Sequence, residues 1–254
     1  DCGGGDGSTV ATAASSAEAI LASNPGATNG VYWINVPGAG PTRVYCEMEN
    51  TKTEDDVVVP GGWMLVLRGA GADDVEYEDP KWTSPQAEGD QDALLTGEHG
   101  TFAKSVAFAT FEGASRILVK AGGFSGASAD GRYRSFEFMF DGAGTPQNLM
   151  FTTERAMSWN STYDLWRKTF GQDRNQGPPR FDRFGSSANQ DVGANRPIMG
   201  CGKPMMFGFN ARDGVNDVNS GLGTHSTYCG GDGRAGFSGG TWMGYGGYAQ
   251  VWMK

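Results

Sequence analysis

Four short oxygen-bearing side chains lie close together in the segment NARDGVNDVNSG. They belong to Asp213, Asn216, Asp217 and Asn219. Calcium takes about six to eight oxygen ligands, and Asp and Asn side chains in a glycine-broken loop can supply several of them while backbone carbonyls complete the shell. Asp and Asn also hydrogen-bond their own backbone in Asx turns, so the same composition is compatible with a turn that binds no metal. We predict a calcium loop, with Asx turns as the alternative.

A second group of candidates lies in the glycine-rich stretch that closes the sequence, YCGGDGRAGFSGGTWMGYGGYAQVWMK. Trp242, Tyr245 and Tyr248 recur there at intervals of three residues. Sugar C–H faces pack on aromatic rings, which offer a large contact area at low entropic cost, so these residues are candidates for the wall of a glycan site. Asp232 in the same stretch could face a metal ion or a sugar. The alternative is that Trp242 packs in the core and the tyrosines anchor loops.

Histidine is scarce, since the sequence contains only His99 and His225. His225 lies between the Asp/Asn segment and Cys229, where it could face a bound ligand; a surface histidine without a ligand is the alternative. Two histidines leave little for a catalytic triad, and neither G-x-S-x-G nor a phosphate-binding G-x-x-x-x-G-K-[ST] motif is present. No spacing among the Asp and Glu residues singles out an acid–base pair. We therefore predict a binding protein and not an enzyme.

The charge balance argues against two classes of partner. Lys and Arg number 20 against 29 Asp and Glu among 254 residues, which gives a formal charge of −9. Nucleic acids and anionic membranes attract basic surfaces, so we expect neither as a partner. No apolar run reaches the roughly 18 residues of a membrane-spanning helix, so we also expect no membrane insertion. The sequence begins at Asp1 without a basic and apolar leader, which is typical of a mature secreted chain and equally of a trimmed one.

The four cysteines are Cys2, Cys46, Cys201 and Cys229, and none has the close C-x-x-C spacing of zinc or thioredoxin-type sites. Disulfides are the simpler interpretation. Of the three possible connectivities we favour Cys2 with Cys46 and Cys201 with Cys229, because this local pairing leaves the long cysteine-free middle uncrossed. Four buried free thiols are the alternative. Disulfides imply an oxidising compartment, where Asn160, which begins the only N-x-[ST] sequon, would be a glycosylation site.

Hydrophobic patterning predicts many strands and few helices. After a flexible arm over residues 1–12, the segment SSAEAILASNPG predicts a short helix that Ser15 or Ser16 caps. Residues 73–99 predict a long surface loop with a short helical piece. We therefore predict one α+β domain over residues 13–254, with a twisted, mainly antiparallel sheet, few short helices and long glycine-rich loops. The predicted strands are NGVYWINV, TRVYCEME, GGWMLVLRG, SRILVKAGG, YRSFEFMFDG, KPMMFGFN and GYAQVWMK.

An ordered series of motifs occupies about the first seventy residues: a cysteine at Cys2, the short helix, NGVYWI, VYCEM and GGWMLVLR. This series resembles the opening of the fibrinogen-like domain family, in which a cysteine, a helix, a strand of the type SGVYWI, the sequence VYCDM and a Gly-Gly-Trp strand follow one another. The resemblance implies a fibrinogen-like fold in an extracellular protein, a disulfide between Cys2 and Cys46, and calcium in an Asp/Asn loop such as the one at Asp213.

The C-terminal motifs CGGDGRAGFSGGTWMGYG and AQVWMK are similar to those of the intelectin branch, the X-type lectins, in which CGDFSG leads to DWSGYG and a last apolar strand. The resemblance implies a calcium ion that directly holds a terminal diol of a glycan between aromatic walls. It matches Asp232, Trp242 and Tyr245 to family positions, and Tyr248 more loosely. Where intelectins carry NTEHHCIGGGGYFPE, this chain has GLGTHSTYC, which offers His225.

These observations predict a secreted, calcium-dependent lectin that binds glycans or glycoproteins through its C-terminal loops. Single glycan sites are weak, so we expect several copies in a homo-oligomer, because linked sites gain avidity without new contacts. The main alternative is a structural subunit of an extracellular filament or surface assembly with the same fold, in which the arm DCGGGDGST docks on a neighbour and calcium is only structural. A secreted glycan-cleaving enzyme is a third alternative.

Overall fold

The computed structural model describes the N-terminal half of the chain most fully. The described residues are 5–52, 58–70, 75, 79–112, 114, 116–122, 134–139, 145, 147, 158–159, 190–199, 203–212, 217–222, 238–239 and 248–254. For some of them the description covers the backbone alone, namely 52, 119, 121–122, 134–139, 158–159, 190–199, 203–212, 217–222, 238–239 and 248.

Strands dominate the described residues, and the helices are short. The helices are α1 (Ala17–Ser23), α2 (Gln91–Leu94) and α3 (Val106–Thr110), with single 3₁₀ turns at Val10–Thr12 and Pro80–Trp82. The strands are β1 (Gly30–Val36), β2 (Gly40–Glu47), β3 (Thr51–Lys52), β4 (Val58–Val59), β5 (Trp63–Ala70), β6 (Glu88–Gly89), β7 (Ala103–Lys104), β8 (Arg116–Gly122), β9 (Arg134–Met139), β10 (Ser158–Trp159), β11 (Gln190–Met199), β12 (Lys203–Arg212), β13 (Asp217–Leu222), β14 (Ser238–Gly239) and β15 (Tyr248–Met253). No helix in this described part is long and apolar enough to cross a membrane.

Helix α1 begins and ends where local chemistry dictates. Ser16 is the N-cap, and its side chain accepts a hydrogen bond from the backbone N–H of Ala19 at 3.1 Å, which satisfies one of the free donors of the first turn. The helix ends before the Asn-Pro-Gly sequence that follows Ser23. Ala17 and Ile20 are buried. The predicted helix is therefore confirmed, with Ser16 as its cap.

Residues 5–12 differ from the flexible arm that the sequence predicts. The backbone N–H of Trp33 in β1 donates to the carbonyl of Gly7 at 2.8 Å, and Ala14 forms an isolated parallel bridge with Ile34. Gly7 has a φ of +69° and is buried, which favours glycine at this position. These backbone hydrogen bonds attach residues 5–12 to the edge strand β1. They also satisfy backbone groups that an edge strand would otherwise leave unpaired.

The largest sheet contains nine strands of the described chain, and its main order is β1-β2-β5-β15-β8-β9-β10. Strand β7 pairs with β5, and β6 pairs with β7. These ladders are all antiparallel. A second sheet has the order β11-β12-β13-β14, and β3 pairs with β4. The predicted α+β class, with a mainly antiparallel sheet and few short helices, is confirmed.

The core lies against β5 and β15, the two central strands of the largest sheet. Every β5 residue except Ala70 is buried, as its continuous apolar run predicts. A buried cluster joins the sheet to residues outside it: Val59, Trp63, Leu65, Leu94, Ala103, Leu118 and Trp252. Full burial of one large apolar side chain contributes about 1.5–3 kcal/mol, so this cluster supplies a substantial part of the stability of the sheet.

The segment after β5 is more closely packed than the predicted surface loop. The 3₁₀ turn Pro80–Trp82 begins at Asp79, whose side chain accepts a hydrogen bond from the backbone N–H of Lys81 at 2.9 Å. Trp82 is fully buried and meets Phe102 edge to face, with ring centroids 5.3 Å apart. The predicted short helical piece is present as α2, which Asp90 caps. Burial of one large aromatic ring thus fixes a stretch whose sequence is otherwise polar.

Candidate functional site

The predicted calcium segment includes the end of β12, the start of β13 and the residues between them in the sequence. Asp217 begins β13 and pairs with Arg212, and Asn219 pairs with Asn210 two residues further along the ladder. The structure describes Asp217 and Asn219 by their backbone alone, while Asp213 and Asn216 lie outside the described residues. The antiparallel ladder therefore brackets the predicted loop, and the calcium site itself stays a prediction.

Strand β14, from the C-terminal glycine-rich stretch, pairs with β13, which contains two of the predicted calcium ligands. Its backbone pairs with β13, with Gly239 opposite Ser220 and Ser238 opposite Gly221. Ser220 follows the predicted calcium ligand Asn219, and Gly239 precedes Trp242 by three positions in the sequence. The second sheet thus places a part of the C-terminal glycine-rich stretch beside the Asp/Asn segment, although more than fifteen positions separate them.

The predicted glycan-binding residues are only partly within the description. Tyr248 is the first residue of β15, where its backbone lies between Ala70 of β5 and Gly122 of β8. Its side chain is not described, and four further predicted site residues lie outside the described chain: Asp232, His225, Trp242 and Tyr245. The sugar-binding role of these residues stays a prediction.

Cys46 is the one cysteine that the structure describes. It is fully buried in β2 without a disulfide, and its Sγ atom lies 3.6 Å from the carbonyl oxygen of Val44, to which the thiol donates. Burial raises the pKa of the Cys46 thiol. Cys2, Cys201 and Cys229 lie outside the described residues, so both disulfides stay predictions. The predicted glycosylation site Asn160 also lies outside them, one position after β10.

A buried ion pair lies on one face of the largest sheet. The Nζ atom of Lys120 in β8 is 2.6 and 2.5 Å from the two carboxylate oxygens of Glu47 in β2. The same Nζ atom lies 4.6 Å from the ring centroid of Trp252, which belongs to β15 between them. Burial lowers the pKa of Lys120, and the Glu47 carboxylate acts in the opposite direction. Two buried charges compensate each other here, and the indole ring adds a cation–π contact.

Tyr45 and Trp252 complete this polar cluster. Their rings meet edge to face with centroids 6.2 Å apart, and burial raises the pKa of Tyr45, with Glu47 adding to the effect. Trp252 is buried, and its indole N–H has no hydrogen-bond partner within the described part of the chain.

Sequence patterning does not single out Glu47 or Lys120. The available signal is a charged residue inside an apolar strand, as in VYCEM and RILVKAGG.

Arg68 and Gln250 hold the loop that carries His99. These two residues are neighbours in the ladder between β5 and β15. Arg68 donates to the carbonyl oxygens of Ala93, Glu98 and Thr101 at 2.8, 3.1 and 3.1 Å, and Gln250 donates to that of Gly97 at 2.8 Å. His99 is exposed on this loop. These hydrogen bonds attach the loop to the two central strands and satisfy four of its backbone carbonyl groups.

A metal centre is not visible in the described residues, where no three His, Cys, Asp or Glu side chains come together in a way that could hold an ion. The predicted calcium ligands lie largely elsewhere in the chain. A scan against protein-family models finds no match for this sequence, and a search of curated proteins finds none either. The resemblance to fibrinogen-like domains and intelectins therefore rests on the quoted motifs.

Proposed function

We propose that this chain is a secreted, calcium-dependent carbohydrate-binding protein of the fibrinogen-like and intelectin type. Glycans bind at its C-terminal loops, and several copies act together. The activity is binding without turnover of the ligand. The motifs at both ends of the sequence support the family, and the α+β architecture with an antiparallel sheet is compatible with it.

The pairing of β13 with β14 is the observation that carries the proposal. Calcium ligands and aromatic sugar contacts must be neighbours if one ion is to hold a glycan against an aromatic wall. The ladder places Ser220 and Gly221 opposite Gly239 and Ser238. It thereby brings the strand that contains Asp217 and Asn219 next to the segment that leads to Trp242 and Tyr245.

Glycan capture in the presence and absence of a calcium chelator tests this function. The protein is incubated with a broad glycan array in calcium, and then in calcium with excess chelator. Capture that the chelator abolishes supports the lectin. No capture on any glycan, together with concentration-dependent polymers in the electron microscope, would favour the structural subunit. Release of shortened glycans into solution would favour the enzyme.

The predicted ligands are tested separately from the fold. Replacement of Asp213 and Asp217 by alanine should remove the rise in melting temperature that calcium gives, because an ion that binds only the folded state stabilises it by mass action. Asp92→Ala, which removes an exposed carboxylate from α2, serves as the control and should keep the calcium response. If calcium does not change the melting temperature of the unaltered chain, of the variant at Asp213 and Asp217, or of Asp92→Ala, the predicted loop is not a calcium site.

The aromatic wall has its own test. Tyr245→Ala and Trp242→Ala should each weaken glycan capture while the calcium-dependent rise in melting temperature remains, because the rings contact sugar and not metal. Tyr32→Ala is the control, since its hydroxyl donates to the carbonyl of Thr28 at 2.7 Å and it lies in edge strand β1, which β2 and β5 separate from the strand β15 that begins at Tyr248. Unchanged capture in both aromatic variants would contradict the proposed wall.

A further inference from the structure

Lys104 of β7 is fully buried, which is rare for a lysine. Its Nζ atom donates to the carbonyl oxygens of Lys81 and Ser84 at 2.6 and 2.5 Å, and to the side-chain oxygen of Gln147 at 2.9 Å. An ammonium group has three N–H donors and no acceptor. Each donor therefore has one oxygen partner, and the three oxygens come from two separate parts of the chain.

Gln147 is oriented by a second hydrogen bond. Its Nε2 atom donates to the carbonyl oxygen of Thr83 at 2.8 Å, so the amide oxygen is the atom left to face Lys104. Gln147 is itself buried. The segment 81–84 and Gln147 are thus held against each other as well as against Lys104. One hydrogen bond that does not involve Lys104 therefore links the two segments that supply these oxygens.

Two electrostatic effects act on the ammonium group of Lys104 in opposite directions, and burial is the larger of the two. Glu88 of β6 pairs with Lys104 in the ladder, and its carboxylate raises the pKa of Lys104 while burial lowers it to about 8. The group is therefore mainly an ammonium at neutral pH. Carbonyl and amide oxygens are the ligands that replace the hydration shell of small monovalent cations in proteins.

We propose that the oxygens of Lys81, Ser84 and Gln147 form a monovalent-cation cage, which Lys104 fills with its own ammonium group. The hydrogen bonds of the ammonium group hold the segment that contains the buried Trp82, and also Gln147, against β7. No free ion is needed for this. Removal of the lysine side chain would leave a site for free ammonium, which has the same charge as the native group and can supply the three N–H donors that these oxygens accept. This cage is independent of the predicted calcium loop and of glycan binding.

Chemical rescue tests the cage. Lys104→Ala is refolded from denaturant in ammonium chloride or in tetramethylammonium chloride of equal ionic strength, since the second cation has no N–H donor. Ammonium at ten times its dissociation constant should raise the folded-to-unfolded ratio by about tenfold relative to tetramethylammonium. Lys104→Met fills the space with an uncharged chain and should not respond. Equal ratios in the two salts, or an equal response of Lys104→Met, would overturn the proposal.

The unaltered chain provides a second measurement if Lys104→Ala does not fold in either salt. With ¹⁵N-labelled lysine, the ammonium of Lys104 should give an NMR signal at pH 7 with three slowly exchanging protons, because all three are hydrogen-bonded and buried. Lys104→Arg identifies the signal by its loss. The signal should persist when calcium is chelated. A neutral amine, or an ammonium whose protons exchange as fast as those of exposed lysines, would refute the cage.

Discussion

Lys120 and Glu47 form an ion pair across the largest sheet, with Lys120 Nζ 2.6 and 2.5 Å from the two carboxylate oxygens of Glu47, although β5 and β15 lie between their strands. Only 3% of the lysine side chain and 11% of the glutamate side chain are exposed. The Nζ atom of Lys120 lies over the ring of Trp252 in β15. The ion pair therefore links β2 to β8 across the central strand β15. Neither charge is stable at this position without the other.

Removal of one member of this pair should destabilise the fold strongly. Glu47→Gln leaves the Lys120 ammonium buried without its counter-charge, and we expect the free energy of unfolding to fall by about 3–5 kcal/mol in urea denaturation. The control is Arg43→Gln, because the Arg43–Asp92 pair is exposed at 52% and 86% of its side chains. That change should cost less than about 1 kcal/mol. Similar losses in the two variants would show that the buried pair has no special role.

The stability of the chain should depend on the protonation of Lys104 at alkaline pH. Burial lowers its pKa from 10.5 to about 8 in the folded state. Between these values the unfolded chain binds more protons, so the contribution of Lys104 to the free energy of unfolding rises with pH and is constant below about 8. Lys104→Met lacks this contribution. The free-energy difference between the original chain and Lys104→Met should increase by about 1–3 kcal/mol from pH 7.5 to pH 10.5 in urea titrations. A difference that stays constant or decreases would show that burial does not lower the pKa of Lys104 in the folded state.

Two glycines with similar backbone angles should respond differently to a methyl group. Gly97 and Gly40 have φ values of +71° and +74°, so alanine is strained at both. A Cβ atom at residue 97 would also overlap the ring of Tyr45, whereas nothing lies within 4 Å of one at residue 40. We expect Gly40→Ala to cost about 1–2 kcal/mol and Gly97→Ala clearly more, as measured by denaturation. Equal losses of unfolding free energy in the two variants would mean that the Tyr45 ring can move away from the new methyl group at little cost.

The predicted disulfides can be read directly from peptide fragments. Digestion without reduction should recover Cys2 linked to Cys46 and Cys201 linked to Cys229. In a chain-entropy description each closed loop contributes about 4 kcal/mol, so reduction should lower the melting temperature. Recovery of Cys46 as a thiol that alkylates only after unfolding would instead agree with four buried free thiols, because the side chain is fully buried.

Local chemistry accounts for the elements that were predicted correctly. Ser16 and the Asn-Pro-Gly sequence after Ser23 bound helix α1 without help from distant residues. The continuous apolar run of β5 predicts a buried strand, and the β-forming residues of β1 after the Asn29-Gly30 turn signal predict another. Residue types and spacing, together with motif comparison, indicate the candidate site residues, of which the structure describes Asp217, Asn219 and Tyr248 by their backbone.

Some features depend on contacts between residues far apart in the chain, which local patterning does not contain. The sequence indicates that residues 248–253 form a strand, but only the tertiary structure places β15 between β5 and β8 at the centre of the sheet. The polar residues inside strands show the same limit, since Lys120 meets Glu47 across 73 positions and Lys104 meets Gln147 across 43. Turns, caps and apolar runs are decided within a few residues, and the sequence by itself determined these. The partners of buried charges are decided by which strands become neighbours, because a charge out of water is stable only where the fold brings it an opposite charge or enough oxygens.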